Sequence, residues 1–290
     1  MENQQMQDIL NKQKAYFIKN GPPSYDLRID RLDRMKLLIM DNRYKFVDAL
    51  NEDFGVRSKN QSMATDVYTI IPSIEYAKKN LKKWMAGSKR KPNFPLGFLG
   101  AKASVDYEPL GTVGMISPWN FPVFLTFSPA ASIFAAGNQI MHKPSEYTEQ
   151  TSLLLKELCD SAFDEDEFAT ILGGPDVGES FTQQKFDHLL YTGSGTVAKH
   201  IMKAAAENLV PVTLELGGKS PVIVSNTADS AIAAKRIMLG KTMNAGQICL
   251  APDYVMVHSD KKDELVAGMK EAVEDFYPDL KHNDDYTSII

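Results

Sequence analysis

Apolar positions mark out the early part of the chain as helical. Between residues 30 and 54, Leu32, Met35, Ile39, Phe46 and Leu50 recur at near-helical spacing, and a second amphipathic segment runs from about residue 65 to 85. Two opening helices are predicted. After the loop KPNFPLGFLG the period shortens to alternation, with Ala103, Val105 and Tyr107 ahead of a Pro-Leu-Gly turn, then Val113 and Met115 beyond it. That pattern predicts a hairpin over residues 101–116 that projects from the main body.

Beyond Asn120, short apolar runs at residues 139–142, 169–172, 188–192, 221–225 and 254–258 take turns with helix-like stretches. Alternating strand and helix implies a largely parallel sheet covered by helices, the α/β class. No internal repeat or low-complexity tract interrupts it. The weakest seam lies at residues 214–220, where Gly217 and Gly218 separate two segments. It predicts a division into domains 1–214 and 215–290.

With 290 residues, 43% hydrophobic and 24% charged, the chain can bury a substantial core and reads as an ordinary soluble protein. A formal charge of −5 argues against a nucleic-acid partner, whose binding rests on clustered Lys and Arg. The one dense basic stretch, residues 78–91, reads as the solvated face and C-terminal end of a helix. The N-terminus MENQQMQDILNKQK lacks the apolar core of a secretory signal, and no run approaches the ~20 apolar residues that span a bilayer. A cytoplasmic, reduced protein is expected. The five histidines show no metal-ligand spacing, so no metal is expected.

Of the two cysteines, Cys159 sits among leucines at helical spacing and reads as a buried apolar side chain. Cys249 follows Asn244, Ala245, Gly246 and Gln247, small or polar residues that suggest a backbone bend. A thiol on one turn and a carboxylate, Glu215, on another can form and then hydrolyse a covalent thioester. The strand candidate at 188–192 runs into Gly193-Ser194-Gly195-Thr196-Val197-Ala198 and a helix-like stretch, the G-x-G-x-x-[GA] dinucleotide pattern in its strand-to-helix setting. The same rule seeks an acid about 20 residues later to hold a ribose, and Glu215 meets that spacing. The letters GKS at 218–220 imitate a P-loop, but its earlier glycine would fall on Thr213. Asn120, between Trp119 and Phe121, reads equally as an oxyanion donor or as the cap of a turn. The segment Lys143, Pro144, Ser145, Glu146 decides nothing by itself.

Taken in order, SPWNFP (117–122), AAGNQIMHKPSE (135–146), YTGSGTVA (191–198), LELGGKSP (214–221) and NAGQIC (244–249) resemble the signature series of the NAD(P)-dependent aldehyde dehydrogenase superfamily. The resemblance runs from about residue 30 to the C-terminus. Within the superfamily, YEPLG, ISPWNFP and the closing NDDYTSII resemble the coniferyl aldehyde dehydrogenase branch, near the class 3 enzymes of fatty and aromatic aldehydes.

The resemblance implies a Rossmann-like cofactor domain followed by the first part of an α/β catalytic domain. It implies Cys249 as nucleophile, Glu215 as the base that activates water, and Asn120 as oxyanion donor. Trp119, Lys143, Ser145, Glu146, Gly193 and Ser194 fall on cofactor-binding positions, with NAD expected and NADP compatible. On this reading Glu146, not Glu215, contacts the adenosine ribose. An aromatic or a medium to long aliphatic aldehyde is the expected substrate, and a homodimer the expected assembly. Family members continue past this chain's last residue, so an incomplete catalytic domain is expected. Two alternatives stand beside the dehydrogenase: a nucleotide-binding or oligomer-interaction fragment without turnover, and a relative that acylates coenzyme A or reduces an acyl phosphate.

Overall fold

The computed structural model describes residues 3–290. It opens with α1 (Asn3–Asn20), α2 (Tyr25–Asp41), α3 (Arg43–Phe54), the single turn α4 (Lys59–Ser62), a π-helix (Met63–Tyr68) and α5 (Ile70–Met85). The apolar stripe over residues 30–54 is thus two helices. Asn42 breaks it: the backbone there leaves helical geometry, and the Asn42 side chain donates back to the Leu38 carbonyl at 2.9 Å. Helix α1 carries Met6, Ile9, Leu10 and Gln13 inward, an i, i+3, i+4, i+7 stripe whose last member is polar. Buried Gln13 donates to the carbonyls of Ile140 and Glu165, both at 2.9 Å, and so fastens α1 to the sheet.

Two short strands, β1 (Ser88–Arg90) and β2 (Ala103–Val105), pair antiparallel as a ribbon. Then come β3 (Thr112–Ile116), α6 (Phe124–Ala135), β4 (Gln139–Lys143), α7 (Glu149–Ala162), β5 (Phe168–Thr170), α8 (Pro175–Thr182), β6 (His188–Gly193), α9 (Gly195–Glu207) and β7 (Val212–Leu216). The hairpin expected over 101–116 does not form. Residues 103–105 pair backwards with 88–90, while 112–116 is the middle strand of the main sheet. Residues 103–107 lie in an exposed ribbon, and 113–115 in a strand covered on both faces. The ribbon's connecting loop leaves Phe94 and Phe98 90% and 92% exposed.

The main sheet has the order β5-β4-β3-β6-β7, every neighbouring pair parallel. Parallel strands joined through helices place those helices on both faces of the sheet. One face, with Val113, Met115, Ile140 and Phe168, packs on α2, α3, α5, α6 and α7; the other, with Met141, Leu189 and Tyr191, packs on α1, α8 and α9. Strand β7 extends through Glu215 to Leu216, paired with Thr192 and Gly193. A division after residue 214 would cut that strand.

The remaining elements are β8 (Ser220–Val224), α10 (Ser230–Thr242), β9 (Pro252–Val257) and α11 (Lys262–Phe276). β8 and β9 form a separate parallel pair whose inner face, with Val222, Val224, Val255 and Val257, packs on both helices in a small third core. Its outer face exposes Ile223, Tyr254 and Met256. No helix among the described residues is long and apolar enough to cross a membrane.

Candidate active site

Three loops meet near the C-terminal ends of the parallel strands, where open α/β sheets carry their sites. The first, Ser117 to Pro122, leaves β3 and enters α6. Its carbonyl at Asn120 accepts from Arg57 at 3.1 Å and from the Asn244 side chain at 3.1 Å. Asp66, wholly buried in the π-helix, accepts from the amides of Val123 and Phe124, both at 3.2 Å, and from the Arg57 guanidinium. Arg57 lies between the rings of Phe54 and Phe121, 4.6 and 5.1 Å from their centroids. Burial pushes the Asp66 carboxyl upward and the Arg57 guanidinium downward, and each charge opposes the other's shift. Two desolvated charges persist because they face one another and because Asp66 also accepts from the first amides of α6.

The second loop carries Cys249. After α10, Asn244, Ala245 and Gly246 all adopt positive φ (50°, 53° and 78°), a left-handed turn that only glycine enters freely. Fully buried Asn244 donates its amide to Gln61 Oε1 at 2.9 Å. The Asn120 side chain donates to the Gln247 carbonyl at 3.0 Å, so two loops far apart in sequence are stitched together two residues before Cys249. Cys249 is exposed; Cys159 is buried, and burial pushes its thiol far above the ordinary range.

The third loop follows Glu215 on the edge strand β7. Glu215 is exposed, and three residues on, a side chain at Gly218 would put its Cβ 3.1 Å from the Cys249 carbonyl oxygen. Glycine permits that approach. Asn120, the Glu215 loop and Cys249 are therefore brought together. A second cluster pairs the acid Glu146 with the base Lys143.

That pair closes β4. Buried Lys143 donates to Glu146 at 2.8 Å and to the Pro144 carbonyl at 3.1 Å. Burial alone would raise the Glu146 carboxyl, but the Lys143 hydrogen bond and charge carry it below the usual range. Ser145 fixes the turn: its hydroxyl accepts from the Tyr147 amide at 3.3 Å, and its carbonyl accepts from Ser152 at 2.9 Å. Ser194 caps α9 by accepting from the Val197 amide at 3.3 Å. Tyr191 links the two motifs: its hydroxyl donates to the Ser194 carbonyl at 3.4 Å, and burial, aided by the nearby Glu146 charge, raises it. At Gly193 an added Cβ would fall 2.2 Å from that hydroxyl. Trp119 packs half-buried against the large core. A carboxylate and an ammonium beside a helix N-terminus with exposed glycine are a donor set for a diol and a pyrophosphate.

The sequence pattern of the aldehyde dehydrogenase family matches residues 4–288. The chain belongs to the aldehyde dehydrogenase family. A coniferyl aldehyde dehydrogenase of Pseudomonas sp. is 50% identical over 99% of this chain and 59% of its own length. Aldehyde dehydrogenase family 3 member A2 of Rattus norvegicus is 37% identical over 91% of this chain and 54% of its own. The substrate-bound state of Staphylococcus aureus AldH superposes with a TM-score of 0.92 at 36% identity, over 97% of this chain and 61% of that one. The chain thus spans about three fifths of the length of these relatives. The family motifs point to Asn120, Glu215 and Cys249; Arg57, Gln61 and Asp66, which hold the loops from behind, carry no local signal because Arg57 and Gln61 fall between the two predicted helices and Asp66 at the start of the second.

Proposed function

We propose that this protein oxidises an aldehyde to the carboxylic acid with NAD(P)⁺, and that its site is the meeting of Asn120, Glu215 and Cys249. The observation that carries this is the stitch between the Asn120 amide and the Cys249 turn. Cys249, as thiolate, attacks the aldehyde carbon; a C–S bond forms and the carbonyl oxygen gains charge. The Asn120 amide has two N–H groups, one of which holds Gln247, leaving the other for that oxygen. Such a donor contributes about 2.7–4 kcal/mol. NAD(P)⁺, when bound, accepts the hydride. A thioester on Cys249 remains, and Glu215 takes a proton from water as it adds to the carbonyl, after which the C–S bond breaks and the acid departs.

Lys143, Glu146, Ser145, Gly193 and Ser194 fit the adenosine and pyrophosphate of the cofactor, and Trp119 stands at the entrance to the oxyanion loop. The similarity to coniferyl aldehyde dehydrogenase favours an aromatic aldehyde, and that to family 3 member A2 keeps medium and long aliphatic aldehydes in view. The N-terminal part, to about residue 214, would hold the cofactor and supply Asn120, and the part from Glu215 on would supply the base and the thiol. A cytoplasmic homodimer is the proposed setting, and the exposed Phe94 and Phe98 at the ribbon tip suit burial against a second copy.

The exposed outer face of the β8–β9 pair favours a second reading, an NAD-binding fragment without turnover. NADH absorbance at saturating NAD, with coniferyl aldehyde and with an aliphatic aldehyde, tests both. Aldehyde-dependent signal that vanishes in Cys249→Ser supports the dehydrogenase, and turnover retained by that variant overturns it. NAD binding in calorimetry without turnover supports the fragment. Acyl-CoA in place of free acid would assign the chain to the acylating relatives, which have no need of Glu215.

A further inference from the structure

We propose that Gln61 is a positioning residue, which holds the Cys249 turn in its left-handed conformation and ties it to the end of the chain. The proposal rests on the reading of Cys249 as nucleophile. Asn244 and Ala245 occupy a region that non-glycine residues avoid, so the turn persists only where its surroundings over-determine it. Three groups do so. Gln61 Oε1 accepts the Asn244 amide at 2.9 Å; the Asn244 side chain donates to the carbonyls of Asn120 and Gln247; the Gln247 side chain donates back to the Asn244 carbonyl at 3.0 Å.

Only the Gln61 bond comes from outside the site's own motifs, and it serves a buried N–H that has no water to turn to. The other end of the same amide, Nε2, donates to the buried hydroxyl of Thr287 at 3.3 Å. Thr287 belongs to a strap that is fixed on both sides. The Ser288 amide donates to the Val56 carbonyl at 2.9 Å, the Ser288 carbonyl accepts from Gln247 at 3.0 Å, and the Ile290 amide donates to Gln247 Oε1 at 3.1 Å. Gln61 and Gln247 are thus the two rungs between strap and turn. Gln61 grows from α4, whose first turn is capped by Ser58, and lies between Arg57 and Asp66, the pair that fixes the Asn120 loop. One segment therefore sets the position of both the amide and the thiol.

The test uses the full chain and two readouts that need no turnover. Peptide-resolved hydrogen exchange follows residues 243–250, and iodoacetamide labels Cys249, with buried Cys159 silent. Gln61→Ala is expected to speed exchange in that peptide at least tenfold and labelling at least threefold, with β3, β4 and α9 changed less than twofold. Gln61→Glu, whose carboxylate can accept from both the Asn244 amide and the Thr287 hydroxyl, is expected to restore both values to within twofold of the unsubstituted chain. Unchanged exchange in Gln61→Ala, equal acceleration throughout the chain, or failure of Gln61→Glu to restore would overturn the proposal. If the unsubstituted chain oxidises no aldehyde, the functional reading falls while these outcomes still judge the clamp.

Discussion

The side-chain amide of Asn120 and the main-chain carbonyl of Gln247 lie 3.0 Å apart, which makes the Asn120 loop and the Cys249 turn a single unit. Asn120→Ala removes both that tie and the free N–H. We expect kcat/KM for aldehyde to fall by about 10²–10³, as for other oxyanion donors, with Kd for NAD unchanged in calorimetry. A loss below tenfold would mean that the amide serves only the turn.

Glu146 sets the charge where the cofactor's adenosine ribose is proposed to rest. Its carboxylate, held ionised by Lys143, repels a 2′-phosphate. Glu146→Gln is expected to shift the ratio of NADP to NAD affinity at least tenfold towards NADP, read by calorimetry with each nucleotide. An unchanged ratio would move the ribose contact elsewhere.

Arg57 and Asp66 are both fully buried, and removing one partner strands the other. Arg57→Met should cost about 3–5 kcal/mol in urea unfolding, because Asp66 then keeps a desolvated charge with only two amides to meet it. A cost under 1 kcal/mol would show that water reaches the site.

His142 supplies a pH signature. Burial, aided by the Lys143 charge, pushes its imidazole down to about 3, and neutral Nε2 lies 2.8 Å from the Ser117 hydroxyl. The unfolded chain protonates this histidine near 6.5 while the folded chain does not, so stability is complete above 6.5 and declines as pH falls towards 3. The slope from this group is about 1.4 kcal/mol per pH unit. Urea titrations at pH 7, 6 and 5 should show it in the native sequence, and His142→Gln should flatten it by one proton's worth. Parallel curves for the two proteins would refute it.

Of the candidate site, the strand-to-helix glycine motif with Ser194 capping α9 has a local pattern, whereas Lys143 and Glu146, which close β4, decide nothing until the family motifs are taken together. The parallel sheet was legible too, since strands covered on both faces are continuous apolar runs. What escaped depends on partners distant in sequence. Helix α1 hides because its stripe ends in Gln13, which is buried only by virtue of the carbonyls of Ile140 and Glu165. Residues 103–105 alternate as a hairpin strand would, and nothing local says that their partner is 88–90. Nothing local marks Arg57 and Asp66 as buried partners, and the fold closes over both.

The π-helix that carries Asp66 closes its hydrogen bonds over five residues instead of four, so it accommodates chain that an α-helix would not. Each residue of an α-helix turns the side chains by roughly 100°. Deleting one residue between Gln61 and Asp66 would let this segment relax into regular helix and swing the carboxylate away from the amides of Val123 and Phe124. The count of residues across the segment is therefore as binding a constraint as their identity, and a shorter segment here would unseat α6 without altering Asn120, Glu215 or Cys249.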